Sequence, residues 1–123
     1  MVNAHGNWKL EWQGEVLTIR LFGAFNQEGL VELAEHVKSS IASHNISKWY
    51  LLEILDAEAM VTPEALAQLK ALYDWYFASG CRSHALISKN VLQREISLEI
   101  SESRVVFFDN ETNALAHFKS LTC

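Results

Sequence analysis

Four carboxylates, Glu53, Asp56, Glu58 and Glu64, fall within twelve positions of one another. Carboxylates gathered in this way can bind a divalent cation or face a basic partner. No Asp-x-Asp spacing accompanies them, and a solvated acidic loop is the plainer reading. Between Met60 and Ala65 the only hydroxyl is Thr62, which precedes Pro63 and Glu64. Thr at an N-cap, Pro at the first helical position and Glu behind it form a strong helix start. A phosphate on Thr62 would meet free N–H groups and the positive end of the helix dipole, although Glu58 and Glu64 would repel it. The favoured role for Thr62 is a structural cap worth about 1 kcal/mol, with phosphorylation the less favoured alternative.

Other residue types give less. His5, His36, His44, His84 and His117 show no metal-ligand spacing and read as solvated or hydrogen-bonded structural residues. The glycines, at 6, 14, 23, 29 and 80, are too dispersed for a phosphate-cradling loop. Cys81 and Cys123 match no metal or redox motif and read as free thiols, one partly buried and one on a terminus. No Ser-His or Cys-His pair is suggested by position. These residues imply no metal, no cofactor and no enzyme.

Ten Lys and Arg against fifteen Asp and Glu give a net charge of −5, which disfavours nucleic acid as a partner. No apolar run approaches the roughly 18 residues of a membrane span. Met1 to Trp8 lacks the basic and apolar regions of a signal peptide, so the expected location is cytoplasmic. A chain of 123 residues, half of them apolar, has enough material for one core and fits a single domain over 1–123.

The elements that must position these residues follow from hydrophobic period. Trp8, Leu10 and Trp12 alternate, Gln13 and Gly14 interrupt, and Leu17, Ile19 and Leu21 alternate again, which predicts a β-hairpin. After Asn26, a candidate N-cap, Leu30, Leu33, Val37 and Ile41 recur at helical steps to about Ser43. Trp49 to Leu55 is apolar at both parities except Glu53 and reads as a strand covered on both faces. A second long helix runs from Thr62 to about Ser79, roughly 27 Å, and Gly80 closes it. Leu66, Leu69, Tyr73, Tyr76 and Phe77 make its sheet-facing stripe, while Ala65, Leu72 and Trp75 form an adjoining flank. A strand follows at Arg82 to Ser88. Asn90 to Ile100 fits helix or strand, and its four-residue spacing favours helix. Val105 to Phe108 is a short buried strand, and Asp109 caps a last helix whose inner face is Leu115, Phe118 and Leu121.

The order β-β-α-β-α-β-α-β-α implies an α/β domain with a mixed, mostly parallel five-stranded sheet, an N-terminal hairpin and about four helices. The hairpin, the strand ending in Leu55-Asp56, the Thr62-Pro63-Glu64 helix start, the Gly80-Cys81-Arg82 junction and the closing Phe107-Phe108-Asp109 with Ala114 and Leu115 resemble the SpoIIAA-like group. That group lies in the STAS superfamily (sulfate transporter and anti-sigma factor antagonist), and the likeness runs from about Trp8 to Leu121. The resemblance implies a (β/α) superhelix and a non-enzymatic role in binding a partner protein or small ligand. It places the regulatory loop after the strand ending at Asp56, where anti-sigma antagonists carry a phosphorylatable Ser in an Asp-Ser-Ser-Gly type of motif. Here Met60-Val61-Thr62-Pro63-Glu64-Ala65 carries no serine, so the usual phosphoserine switch is not expected.

The apolar arc of the second long helix and the double-sided 49–55 strand exceed what the covering segments need, which points to a homodimer or partner-protein interface. The expected surface joins Asp56, Glu58, Thr62 and Glu64 to Leu72 and Trp75. The alternative is a carrier of a small apolar, lipid-like ligand held between helices and sheet.

Overall fold

A computed structural model of the chain describes residues 2–122. Strands β1 (Asn7–Gln13) and β2 (Val16–Phe22) form the hairpin, followed by a two-residue strand β3 (Ala24–Phe25) and helix α1 (Gln27–His44). Then come β4 (Trp49–Leu55), a second two-residue strand β5 (Met60–Val61), a 3₁₀ turn at Pro63–Ala65, and α2 (Leu66–Ala78). Strand β6 (Cys81–Ile87), α3 (Val91–Ile100), β7 (Val105–Phe107) and α4 (Glu111–Leu121) complete the chain. The main sheet has the order β1-β2-β4-β6-β7, antiparallel in the hairpin and parallel elsewhere. This is the expected architecture, including a helix rather than a strand over 91–100.

One small sheet was not anticipated. Ala24 pairs with Met60 and Phe25 with Val61, a parallel bridge of β3 and β5 beyond the carboxyl ends of β2 and β4. Two residues per strand carry no periodicity, so nothing in the sequence distinguishes them from loop.

The bridge also changes the start of α2. Thr62 is extended, its N–H donates to the Phe25 carbonyl at 3.0 Å, and its side chain makes no capping bond. Ala65 N–H closes on the Thr62 carbonyl at 2.9 Å, giving a 3₁₀ turn before the regular helix begins at Leu66. Thr62 is therefore not the side-chain cap its position suggested. The 13-residue helix is about 20 Å long, shorter than expected. Gly80 does close it, with φ +108°, and a Cβ there would lie 2.0 Å from the Ser47 carbonyl oxygen, so the site excludes any side chain.

Caps elsewhere follow residue chemistry. Asn26 Oδ1 accepts from Gly29 N–H at 2.8 Å and from His5 N–H at 2.9 Å, fixing both α1 and the segment before β1. Asn110, not Asp109, caps α4, accepting from Asn113 N–H at 2.8 Å. The inner face of α4 is Ala114 and Phe118, with Leu115 partly buried, whereas Leu121 is exposed, contrary to expectation.

Strand β4 is sealed on both sides. Trp49 and Leu51 face the core beneath α1 and α2, and Tyr50 and Leu52 face a second core closed by α4 through Phe118. Leu72 is 3% exposed and lies in the first core, and Trp75 is half-buried against it. The surplus apolar area expected on β4 and the Leu72 flank is thus covered by the chain's own helices. The exposed apolar side chains lie elsewhere, with Met60, Val91 and Leu92 each more than half exposed.

Candidate binding groove

Two of the most exposed apolar side chains, Met60 and Leu92, sit on one concavity. A groove of about 530 Å³ opens beyond the carboxyl ends of β2 and β4, between the 56–61 loop and α3. Leu21, Phe25, Leu30 and Leu69 contribute to its lining from the core side, and Met60 and Leu92 belong to its rim. Val91 adjoins Leu92 at the start of α3. Carboxyl ends of strands are the usual place for ligands in α/β sheets, and apolar patches of this kind on a folded chain mark interaction sites. The folding reason is topological: β3 and β5 carry the chain past the carboxyl ends of β2 and β4, and Leu30 of α1 and Leu69 of α2 line the groove from below without filling it.

Of the residues singled out in sequence, Asp56, Glu58, Thr62 and Glu64 share this loop and its continuation into the 3₁₀ turn. Asp56, Glu58 and Glu64 are exposed, Thr62 is half-buried, and Glu58 lines the groove. Leu72 and Trp75 do not line it. Leu72 borders a separate shallow depression of about 320 Å³ between α1 and α2, with Leu30, Val31 and Gln68. The Lys38 ammonium lies 5.3 Å from the Trp75 ring centroid, a cation–π contact that covers one aromatic face. The composite surface joining the loop to Leu72 and Trp75 is therefore not continuous, and Leu72 cannot present its side chain to a partner.

Glu53, which sequence proximity groups with the loop carboxylates, has a different environment. It is 2% exposed, pointing from β4 into the core between α2 and β6. Tyr73 Oη donates to Glu53 Oε1 at 2.8 Å, and His84 Nε2 lies 2.9 Å from the same oxygen. The Tyr73 and Tyr76 rings stand edge-on to the His84 imidazole at 4.7 and 5.9 Å. Burial, followed by the nearby Glu53 carboxylate, holds the Tyr73 and Tyr76 hydroxyls well above their ordinary range. With Glu53, Tyr73 and His84 all nearly inaccessible, the cluster ties β4, β6 and α2 together and offers no surface to a substrate.

Burial likewise pushes the Cys81 thiol up to about 12, leaving a protonated, inert sulfur at neutral pH. Cys123 lies outside the described residues. His36 and His44 sit on the α1 surface, where their rings pack on Trp8 and Trp12 at 5.3 and 4.0 Å. Among the described residues no three His, Cys, Asp or Glu side chains form a group able to hold a metal ion, and no helix is long and apolar enough to cross a membrane.

Sequence reasoning missed Met60, Leu92 and Gln93, all of which border the groove. Asn90 carried the one usable signal. As an N-cap residue ahead of Val91-Leu92, it puts two apolar side chains in the first turn, where no neighbouring helix covers them.

No family model matches the chain, and no curated protein matches it significantly. Solved structures do, among them two that each align over nearly the whole chain. One is an uncharacterized protein of the DUF3478 family with a SpoIIAA-like fold from Shewanella loihica PV-4, at TM-score 0.65 and 16% identity, with 94% of this chain and 97% of that one covered. The other is the anti-sigma factor antagonist SpoIIAA in its unphosphorylated form, at TM-score 0.60 and 12% identity, covering 92% of this chain and 98% of that one. Agreement over more than nine-tenths of each chain leads to one conclusion: this chain, with its mixed five-stranded sheet and four helices, has the SpoIIAA-like fold.

Proposed function

We propose that this chain is a non-enzymatic regulatory module that works by docking a partner protein on the groove and its acidic rim. The apolar groove flanked by exposed Met60 and Leu92 carries this reading, because a partner's apolar side chain can bury there at a site the chain's own helices leave open. Exposed Asp56, Glu58 and Glu64 on the adjoining loop favour a partner whose apolar anchor is flanked by Lys or Arg. The likeness to an anti-sigma factor antagonist supports a regulatory role of this type. Docking without a phosphoserine switch is consistent with a loop whose one hydroxyl, on Thr62, is half-buried.

Capture from native extract tests the proposal. Wild type is expected to recover a partner that a Met60→Asp, Leu92→Asp double variant recovers about tenfold less well, since both substitutions place charge in the apolar rim. Trp75→Ala, remote from the groove, is expected to leave recovery unchanged. Equal recovery by wild type and the rim variant overturns the proposal.

The size of the groove supports a second reading, a carrier of a small apolar ligand, because about 530 Å³ falls within the usual range of small-molecule sites. Native mass spectrometry of the gently purified protein separates the two: a carrier retains a small-molecule mass, and a docking module retains none. A second copy of the chain is the remaining occupant, and sedimentation at high micromolar concentration reads it directly.

A further inference from the structure

The groove has two walls remote in sequence, the 56–61 loop and α3, and one side chain joins them. Gln93 lies on the inner face of α3 and is 8% exposed. Its Nε2 donates toward three loop carbonyls, those of Asp56 at 2.9 Å, Ala59 at 2.5 Å and Ala57 at 3.4 Å. Its Oε1 accepts from the Ser88 hydroxyl at 2.6 Å. Three carbonyls around one nitrogen settle which end of the amide carries the hydrogens, since an oxygen there would face acceptors only. Asn90 Nδ2 adds a longer contact to the Ala57 carbonyl at 3.4 Å, while its Oδ1 caps α3.

Ala59 N–H closes the loop on the Asp56 carbonyl at 2.9 Å, and the N–H groups at its two ends point away from α3. Asp56 N–H donates to Leu21 and Met60 N–H to Gly23, so the loop hangs from the hairpin side by its donors and from α3 by its acceptors. Without the Gln93 amide, the carbonyls of Asp56 and Ala59 lose their shortest contacts to α3. The side chains that rim the groove on this wall, Glu58 and Met60, ride on that loop.

We propose that Gln93 is a positioning residue, a latch that sets the width of the groove by holding the 56–61 loop against α3. This rests on the reading of the groove as the binding site. A rim held in place before the partner arrives avoids the ordering cost that a loose loop would impose on binding.

Residue-resolved hydrogen exchange and titration with the neutral dye Nile red, on the whole chain, test the latch. In Gln93→Leu, amides of residues 57–61 are expected to exchange about tenfold faster while those of Leu51 and Leu52 keep their rates. Nile red affinity for the groove is expected to fall about tenfold. Gln93→Glu should match Gln93→Leu at neutral pH and regain loop protection in acid, where the protonated carboxyl recovers one donor. Ser88→Ala, which leaves the donors in place, should raise loop exchange only about two- to threefold and serves if Gln93→Leu fails to fold. Unchanged loop exchange, unchanged dye affinity, or an acceleration spread equally over β4 overturns the latch. The capture experiment judges the docking reading separately, so either can fail while the other stands.

Discussion

Glu53 and Glu58 are five residues apart, carry the same functional group and occupy opposite environments. Glu53 sits within β4 at the parity of Trp49 and Leu51, so the pleat turns its carboxylate into the core, where Tyr73 and His84 satisfy it. Glu58 sits past the strand, where no parity constrains it, and stands in solvent at the lip of the groove. Clustering in sequence is thus a poor guide to clustering in space when a strand end intervenes. One carboxylate organises the interior, and the others shape a surface.

The contrast is testable by reactivity first, where the effect is largest. Held at about 12, Cys81 should react with iodoacetamide at pH 8 about a thousandfold more slowly than a cysteine placed on the rim by Met60→Cys, read by peptide mapping that scores Cys123 separately. Comparable rates at both positions would show that the core beside Glu53 is as open as the groove. The same shift has a stability consequence. Folding raises the thiol above its ordinary value near 9, so its contribution is present below about pH 9 and is lost as pH rises toward about 12. Tyr73 and Tyr76, also raised, act in the same direction, and denaturant midpoints measured from pH 8 to 11 should fall steadily.

Removing the buried acid comes next. Glu53→Ala leaves His84 and the Tyr73 hydroxyl buried without their shared partner and is expected to cost about 3–5 kcal/mol by urea unfolding. Glu58→Lys at the surface should stay within about 0.5 kcal/mol. Equal costs would erase the distinction. The smallest effect is expected at Thr62, where Thr62→Ala should also change stability by less than about 0.5 kcal/mol because no side-chain cap is lost. A loss of about 1 kcal/mol or more would restore the capping role that the Thr62-Pro63-Glu64 order suggests.

Much of the fold was legible because its signals are local. Alternation marked the hairpin, a 3.6-residue period marked α1, and the double-sided 49–55 run correctly implied a central strand. The caps at Asn26 and Gly80 were readable from residue type alone. The β3–β5 bridge was not, since two-residue strands leave no pattern, and it was this bridge that displaced Thr62 from its capping role. Of the candidate groove, the acidic loop was legible as an exposed segment, and Glu58 on it lines the concavity. Leu72 and Trp75 were misplaced for a specific reason: the width of an apolar arc on α2 says nothing about whether α1 covers it, and here α1 does. Gln93 left no trace, since its importance depends on three backbone carbonyls more than thirty residues away. The inward parity of Glu53, by contrast, was present in the sequence and could have been read.

The most direct test of the docking surface is a hydrogen-exchange footprint of the chain with the protein it captures from native extract. Binding at the groove is expected to slow exchange at residues 56–64 and 90–97 while leaving the α4 segment at its free rate. Protection confined to α4, or to the outer strand β1, would place the partner elsewhere and contradict the role assigned to the groove.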